Sequence, residues 1–454
     1  MFGLFAPRCP LNLGLKVWTE RRFRDIGEEL GASHIRQVEV VEPGSELLQA
    51  AVNSDDATTL IFEQVCRWMD VSSSSLRLNV MSSDEMAELA ASQGASGAAM
   101  SLYGIPAVDG EAAQLIVSAD LNLDADQLLA MIARGVAHDV LRTRLPDLFA
   151  ARDQMRIIDL VPVFFGLGIF VANSTVRDLN GVSGAPTRAD SLSSEVYGYA
   201  LALAAWVRGE GMADWTRHLR LDARETMKSG FKFLAKSGDC VFDADSFGHR
   251  TQPESLAELR RALDDSSPSL QMNALLNLMP HPDDCRQLCD ELIPQLKMRD
   301  RDQRAQAVLT ISACTTQSED ALRAVIGLCD DSETTVRLSV ATTLKPGSVD
   351  DESSIHTLTG MLADRDPGVC IQAASSLLEF DSLPDELLRP ALELLRQGNI
   401  RCAEPMMQVA LLLLARVCDD VPALLSTELD EESQAMIADL TREVLGAEVS
   451  AKIE

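Results

Sequence analysis

Over its last two hundred residues the chain repeats itself every 33 positions, and this period constrains the fold more than any single motif. Leu278, Ile311, Leu344 and Leu377 stand 33 apart, as do Met272, Ala305, Leu338 and Ile371, and Ala274, Ala307, Val340 and Ala373. Each series lies in a segment with apolar residues at helical spacing. Each segment is opened by a polar turn: Asp264-Asp265-Ser266-Ser267, Arg299-Asp300-Arg301-Asp302, Asp330-Asp331-Ser332 and Asp364-Arg365-Asp366-Pro367. Asp and Ser at such turns cap a following helix by accepting its first unpaired N–H groups. Two helical patterns per 33-residue step are the signature of an α-solenoid, in which each repeat buries its apolar face only against its neighbours. Leu338, as a member of one series, is expected between stacked repeats, where Leu338→Asp would bury a charge.

A chain of 454 residues exceeds what one core supports and should divide into domains. Apolar residues make up 46% and aromatics only 4%, which suits closely packed helices. The formal net charge of −29 repels phosphate backbones and anionic lipid, so neither a nucleic acid nor a membrane is expected as partner unless a local basic patch exists. The Arg-rich stretch from Trp206 to Arg224 alternates with acids and reads as a solvated helix face. Ten cysteines are scattered without a CxxC pair, although Cys285 and Cys289 lie four apart. They read as buried reduced thiols of a soluble, cytoplasmic protein. The most apolar run, Leu160 to Ala172, is too short to span a bilayer.

Ahead of the repeats the pattern is mixed. A helix is expected over Leu15 to Leu30, stopped by Gly31, and another over Thr58 to Met69. Alternating apolar and polar residues predict strands at Gln37 to Glu42, Leu76 to Met81 and Gln114 to Leu121, the last after a Gly-rich stretch from Gly94 to Gly110. A helix capped by Asp124 or Asp126 should run to about Leu145, followed by helices over Met155 to Ala172, Ser193 to Val207 and Arg217 to Lys236. The sequence therefore divides into an α+β domain over 1–237, a linker over 238–252 and a solenoid over 253–454, closed by a capping helix at Asp430 to Leu445.

Chemistry, if present, belongs to the helix containing Val136-Ala137-His138-Asp139-Val140-Leu141-Arg142. In zincin metallopeptidases a helix at such a place carries H-E-x-x-H, whose two histidines grip one zinc while the Glu acts as general base on the bound water. Only the first position is filled here. Asp139 replaces the Glu with an arm one methylene shorter, and Arg142 replaces the second imidazole with a group that cannot lose its proton.

The first 235 or so residues resemble a family of uncharacterised bacterial proteins with a zincin-like metallopeptidase domain. The resemblance is carried by Met1-Phe2-Gly3 with Cys9-Pro10, Trp18-Thr19-Glu20-Arg21-Arg22-Phe23 and Val65-Cys66-Arg67-Trp68-Met69. It continues in Asp159-Leu160, Phe164-Phe165-Gly166-Leu167-Gly168-Ile169-Phe170, Ala172-Asn173-Ser174 and Tyr197-Gly198-Tyr199-Ala200-Leu201-Ala202-Leu203. It implies a zinc site completed by a downstream segment similar to H-E-x-x-T-D-L. In this chain that segment is Gln154-Met155-Arg156-Ile157-Ile158-Asp159-Leu160, so Gln154 stands for the His, Met155 for the Glu, and Asp159 alone is kept. The implied state is a vestigial site of His138 and Asp139 with Arg142, Met155 and Asp159 around it, in which Asp139 or Asp159 pairs with Arg142 where a metal once sat and Arg156 adds a second charge.

Other candidates have blander assignments. His218, His249, His281 and His356 have no neighbours of ligand type, and Ser174, Ser191 and Ser193 lack a nucleophile-elbow setting. Gly166 and Gly168 read as packing glycines inside an apolar helix, and Tyr199 and Trp206 as core. The sequence thus predicts a degenerate zincin-like domain followed by a HEAT-like solenoid. It would act without a cofactor as a scaffold or regulator whose concave face takes a protein or peptide. The alternative is a zinc-dependent hydrolase or peptidase with a non-standard site at His138, Asp139 and Asp159.

Overall fold

The computed structural model describes residues 7–44, 56–73, 75–82, 84–85, 113–118, 125–174, 192–211, 213–247, 255–400, 403–430, 433–435, 437–438, 440 and 442. The Gly94–Gly110 stretch, the cap candidate Asp124, Ser191, His249 and the end of the expected capping helix lie outside them. The chain forms two compact units, Met1–Arg250 and Thr251–Glu454.

The first unit is helical around a small sheet. Helices α1 (Leu13–Leu30), α2 (Ala32–Gln37) and α3 (Ala57–Trp68) precede β1 (Leu76–Met81) and β2 (Ala113–Ser118), which pair in parallel with Leu76 opposite Ala113. There follow α4 (Ala125–Arg144), α5 (Pro146–Phe149), α6 (Gln154–Phe164), α7 (Gly168–Asn173), α8 (Ser194–Val207), a 3-10 turn (Asp214–His218) and α9 (Leu221–Ser237). Helix α4 is central: α3, α6, α7 and β2 all pack on it, and Leu129, Ile132, Val136, Val140 and Leu141 are fully buried. Its approach to the sheet depends on Gly135, where a Cβ would collide with the Leu115 side chain.

Three expectations for this unit are corrected. Residues 38–42 form no strand; they leave α2 in extended conformation, and the Val41 N–H donates to the Gly166 carbonyl at 3.0 Å. Half-burial against a turn produces the same alternating pattern as half-burial in a sheet. The helix expected over Met155 to Ala172 is broken at Gly166, whose φ of +76° permits the reversal between α6 and α7 that a side chain would obstruct. Part of the stretch read as a linker belongs to the core instead. Cys240, Val241, Phe242 and Phe247 are buried, and Phe242 and Phe247 stack at 5.3 Å beside Phe23, which itself meets Phe164 at 4.5 Å. Short loops that carry several aromatics lack periodicity yet bury as much apolar area as a helix.

In the second unit, helices α10 (Leu256–Leu263), α11 (Pro268–Leu278), α12 (Pro282–Gln287), α13 (Cys289–Gln295), α14 (Arg301–Ile311), α15 (Glu319–Ile326) and α16 (Thr334–Thr343) lead into α17 (Asp351–Met361), α18 (Pro367–Leu378), α19 (Leu388–Ile400), α20 (Glu404–Val417) and α21 (Val421–Glu428). Helices α11, α14, α16, α18 and α20 pack in succession as one layer. Two of the three repeating series are core throughout, from Leu278 to Leu377 and from Ala274 to Ala373, all at most 1% exposed. The polar turns cap as expected at Ser267, Asp300 and Asp366, each of which accepts an N–H of the next turn. Leu338 departs from expectation: it is 38% exposed. Val336, Val340, Ala341 and Leu344 face the core, and at 100° per residue Leu338 falls on the opposite side.

The 33-residue step also governs polar groups. Arg304 forks onto Asp331 at 2.9 and 3.0 Å, and Arg337 forks onto Asp364 at 2.7 and 2.9 Å. Each arginine also reaches back to the turn that opens its own helix, at the carbonyls of Met298 and Asp331, both at 2.9 Å. Deeper in the same layer Thr310, Thr343 and Ser376 donate to the carbonyls of Leu275, Val308 and Ala341 on the preceding helix. Successive repeats are therefore joined by a charged ladder at the turns and a hydroxyl ladder inside.

Candidate functional site

Helix α4 divides its polar residues between two directions. His138 is half-buried, with its ring edge-on to Phe149 at 5.4 Å. Asp139, one residue and 100° further round, is buried at 4% exposure, and Arg142 one turn on reaches it at 2.6 Å. Cys66 of α3 lies near this carboxylate; burial, with the Asp139 charge adding to it, pushes its thiol up to about 12. Asp139 is thus held as a partner of a guanidinium rather than aimed as a base.

Asp159 of α6 is fully buried, and Arg142 is not its partner. Its Oδ1 takes the Nε of Arg134 at 3.1 Å, and its Oδ2 accepts the Leu192 N–H at 3.1 Å. Arg134 Nη2 also lies within hydrogen-bond distance of the Val171 carbonyl, the Ser174 hydroxyl at 2.8 Å and the Tyr197 hydroxyl at 3.3 Å. Sequence reasoning missed Arg134. The available signal was its position four residues before His138 and eight before Arg142, on one face of α4. The second positive charge expected from Arg156 is directed elsewhere, since its guanidinium lies over the Trp18 ring at 4.1 Å. Met155 is half-buried in the first turn of α6.

A zinc ion does not fit this donor set. Zinc takes three or four ionised or imidazole donors in a tetrahedron. Here both carboxylates are committed to guanidinium groups, and among the described residues no group of three His, Cys, Asp or Glu side chains could hold a metal.

The segments surrounding the site do framework work. Trp18 Nε1 and the Arg22 fork bind Asp153 at 2.7 to 2.9 Å. Burial would raise the Asp153 carboxyl, but these donors hold it below the usual range. Glu20, fully buried, receives Lys16 Nζ at 2.8 Å, the Tyr199 hydroxyl at 2.6 Å and the Val241 N–H at 3.1 Å, which ties α1 to α8 and to the 239–247 segment. Asn173 joins α7 to the His218 carbonyl and the Arg220 N–H. His218 Nε2 lies 2.9 Å from Glu42, and among the described residues it belongs to no cluster of metal-ligand type. His356 sits inside α17, and none of the nine described cysteines forms a disulfide.

On the second unit α17 and α19 leave a cleft of about 350 Å³ lined by His356, Thr359, Leu362, Pro390, Glu393 and Gln397. Among the described residues no helix is long and apolar enough to cross a membrane.

The family of HEAT repeats matches residues 289–379, the stretch from α13 to the end of α18 that contains both arginine–aspartate rungs. The repeats in this stretch are therefore HEAT-like, the kind of helical repeat that generally mediates protein–protein interaction. No curated protein matches the chain.

Proposed function

We propose that this chain is a non-catalytic scaffold or regulator, in which a degenerate zincin-like domain precedes a HEAT-like solenoid that binds a protein or peptide on its concave face. The observation that carries the non-catalytic part is the pairing of Asp139 with Arg142 and of Asp159 with Arg134. A hydrolytic zinc site needs unpaired donor groups for the metal and a polarised water. Here each acid that could serve is paired with an arginine, whose charge opposes a cation at that acid. Binding is supported by the HEAT-repeat match and by the cleft between α17 and α19, the second helices of successive pairs. Residues 251–454 hold 17 Lys and Arg against 36 Asp and Glu, so this surface favours a partner with a basic or apolar patch, and association should slow as salt rises.

Metal analysis of the purified full-length protein tests the proposal against a zinc hydrolase using His138, Asp139 and Asp159. The expected zinc content is well below one ion per chain and unchanged by His138→Ala. One zinc per chain, lost in that variant, would establish a metal site at His138 and overturn the non-catalytic assignment of the first unit.

A further inference from the structure

The chain has only seven lysines, and three of them, Lys228, Lys232 and Lys236, fall at four-residue intervals on α9 with Arg224 one step before. Together with Arg217 of the preceding 3-10 turn they line an open groove of about 710 Å³ in which, among the described residues, Asp214 alone is acidic. The groove is fixed from behind. Helix α9 is pressed against α8 at Gly198 and Gly230, where added Cβ atoms would strike the Ala223 carbonyl and the Tyr199 ring, so its other face is held outward. Between the cations lies an apolar strip of half-buried Phe231 and exposed Ala235.

Of the groove's cations, Arg217 is paired with Glu42 at 3.1 Å, and the rest of the stripe is largely unmatched by acids. Among the described residues Arg224, Lys232 and Lys236 have no acidic side chain within ion-pair distance, and the Nε of Arg224 is a buried donor without an acceptor. Lys228 meets only the exposed Glu225. A buried donor left unmade is costly, and like charges at four-residue spacing destabilise a helix, so a complementary anion would relieve both.

We infer that this groove docks an acidic, amphipathic protein segment, an interaction beyond the solenoid binding proposed above. The four cations on α9 extend along about 18 Å, twelve residues of helical rise. A single phosphate would need donors converging on one point. A peptide helix with carboxylates at four-residue spacing presents charges about 6 Å apart, the same interval as the cations, and offers apolar side chains to Phe231 and Ala235. A nucleic acid or an anionic bilayer would also meet the cations, but both extend past the groove onto a surface of strongly negative total charge, whereas a segment of three or four turns does not.

The test uses the full-length protein and a fluorescein-labelled synthetic 16-residue peptide with Glu at four-residue intervals and Leu between them, followed by anisotropy. The expected result is saturable binding that weakens between 50 and 200 mM salt and falls about tenfold in K228Q/K232Q/K236Q, since each exposed ion pair is worth a factor of about two to five. All three side chains are exposed, so the variant should melt like the parent and loss of binding cannot be ascribed to unfolding. Equal binding by the variant overturns the inference, as does equal binding of a peptide with Gln at every Glu position. It is also overturned if a 16-nucleotide single strand or phosphatidylserine vesicles bind more tightly through the same lysines, or if the variant abolishes self-association of the chain instead.

Discussion

Replacing Arg337 by Met should cost the solenoid more than its place beside a surface turn suggests. The side chain is 3% exposed and makes four hydrogen bonds: two to the Asp364 carboxylate and two to the carbonyls of Asp331 and Ser332. Met keeps the methylene packing and removes every donor. Asp364, itself 9% exposed, is left with the Asp366 N–H at 2.8 Å as its remaining contact. Removing one member of a buried pair costs about 3–5 kcal/mol. Because the rung lies at the edge of the layer, where water can reach Asp364 after the change, the lower figure of about 2–3 kcal/mol applies. With a urea slope of about 2 kcal/mol/M the midpoint of the solenoid transition should drop by roughly 1–1.5 M. Arg323→Met, which removes an exposed pair with Asp320, serves as the control and should leave it unmoved. Adding Asp364→Leu to Arg337→Met should recover part of the loss by removing the stranded charge. If Arg337→Met shifts the midpoint no more than Arg323→Met does, the ladder contributes nothing and the repeats are held by apolar stacking alone.

Four other expectations follow from the same structure. Leu344→Ala, at a site 1% exposed, should destabilise the solenoid by about 3 kcal/mol, whereas Leu338→Asp at 38% exposure should change its melting by less than about 1 kcal/mol; reversal of that order in thermal unfolding would disprove the layer assignment. Lys16→Met strands the buried Glu20 and should destabilise the first unit by about 3–5 kcal/mol in denaturant titration, with part of the loss regained in the double variant Lys16→Met/Glu20→Gln. Burial works against the ionised carboxyls of Asp331 and Asp364, but the forks from Arg304 and Arg337 hold both below the ordinary value of about 3.9. A depressed folded value stabilises above the unfolded one and is lost as pH falls through it. The urea midpoint should therefore be flat near neutrality and decline below about pH 4, and a solenoid midpoint independent of pH between 5 and 3 would contradict the assignment. Arg142→His restores the two-imidazole spacing with His138 but leaves Asp159 held by Arg134 and Asp139 without its partner, so metal analysis should find no stoichiometric zinc; one ion per chain would show that Arg142 alone had closed the site.

The repeat was legible because stacking forces the same apolar positions inward at each step, which is why Leu278 to Leu377 read correctly. Leu338 was misplaced because a constant step preserves angular register but does not say which register faces the core. The polar ladder had the same period, visible in Arg304 and Arg337 and in Asp331 and Asp364, but charged residues in a turn ordinarily read as solvated. The first unit was less legible. Its strands β1 and β2 alternate cleanly, whereas residues 38–42 alternate for a different reason, and the Phe242–Phe247 loop buries aromatics with no period at all. The basic stripe on α9 is marked in sequence by the even spacing of its three lysines, but the Arg-rich segment just before it, which alternates with acids, carries the same composition without the period.

The candidate site was legible in its components and not in its pairing. Arg142 was expected to neutralise a carboxylate, and it does, but the buried Asp159 required its own cation, and one-dimensional spacing gave no reason to choose Arg134, 25 residues away. The buried Asp159 is met by the Arg134 guanidinium and the Leu192 N–H, two donors that no sequence spacing pointed to. The same logic bears on the motifs that carry the resemblance. Trp18, Glu20, Arg22, Asn173, Tyr197 and Tyr199 all make buried or half-buried hydrogen bonds that join one element to another, so folding alone is enough to retain them. Likeness at those positions therefore speaks for a shared framework. Likeness in chemistry would have to come from residues with no such duty, and at the corresponding places in α4 and α6 this chain has arginine, glutamine and methionine.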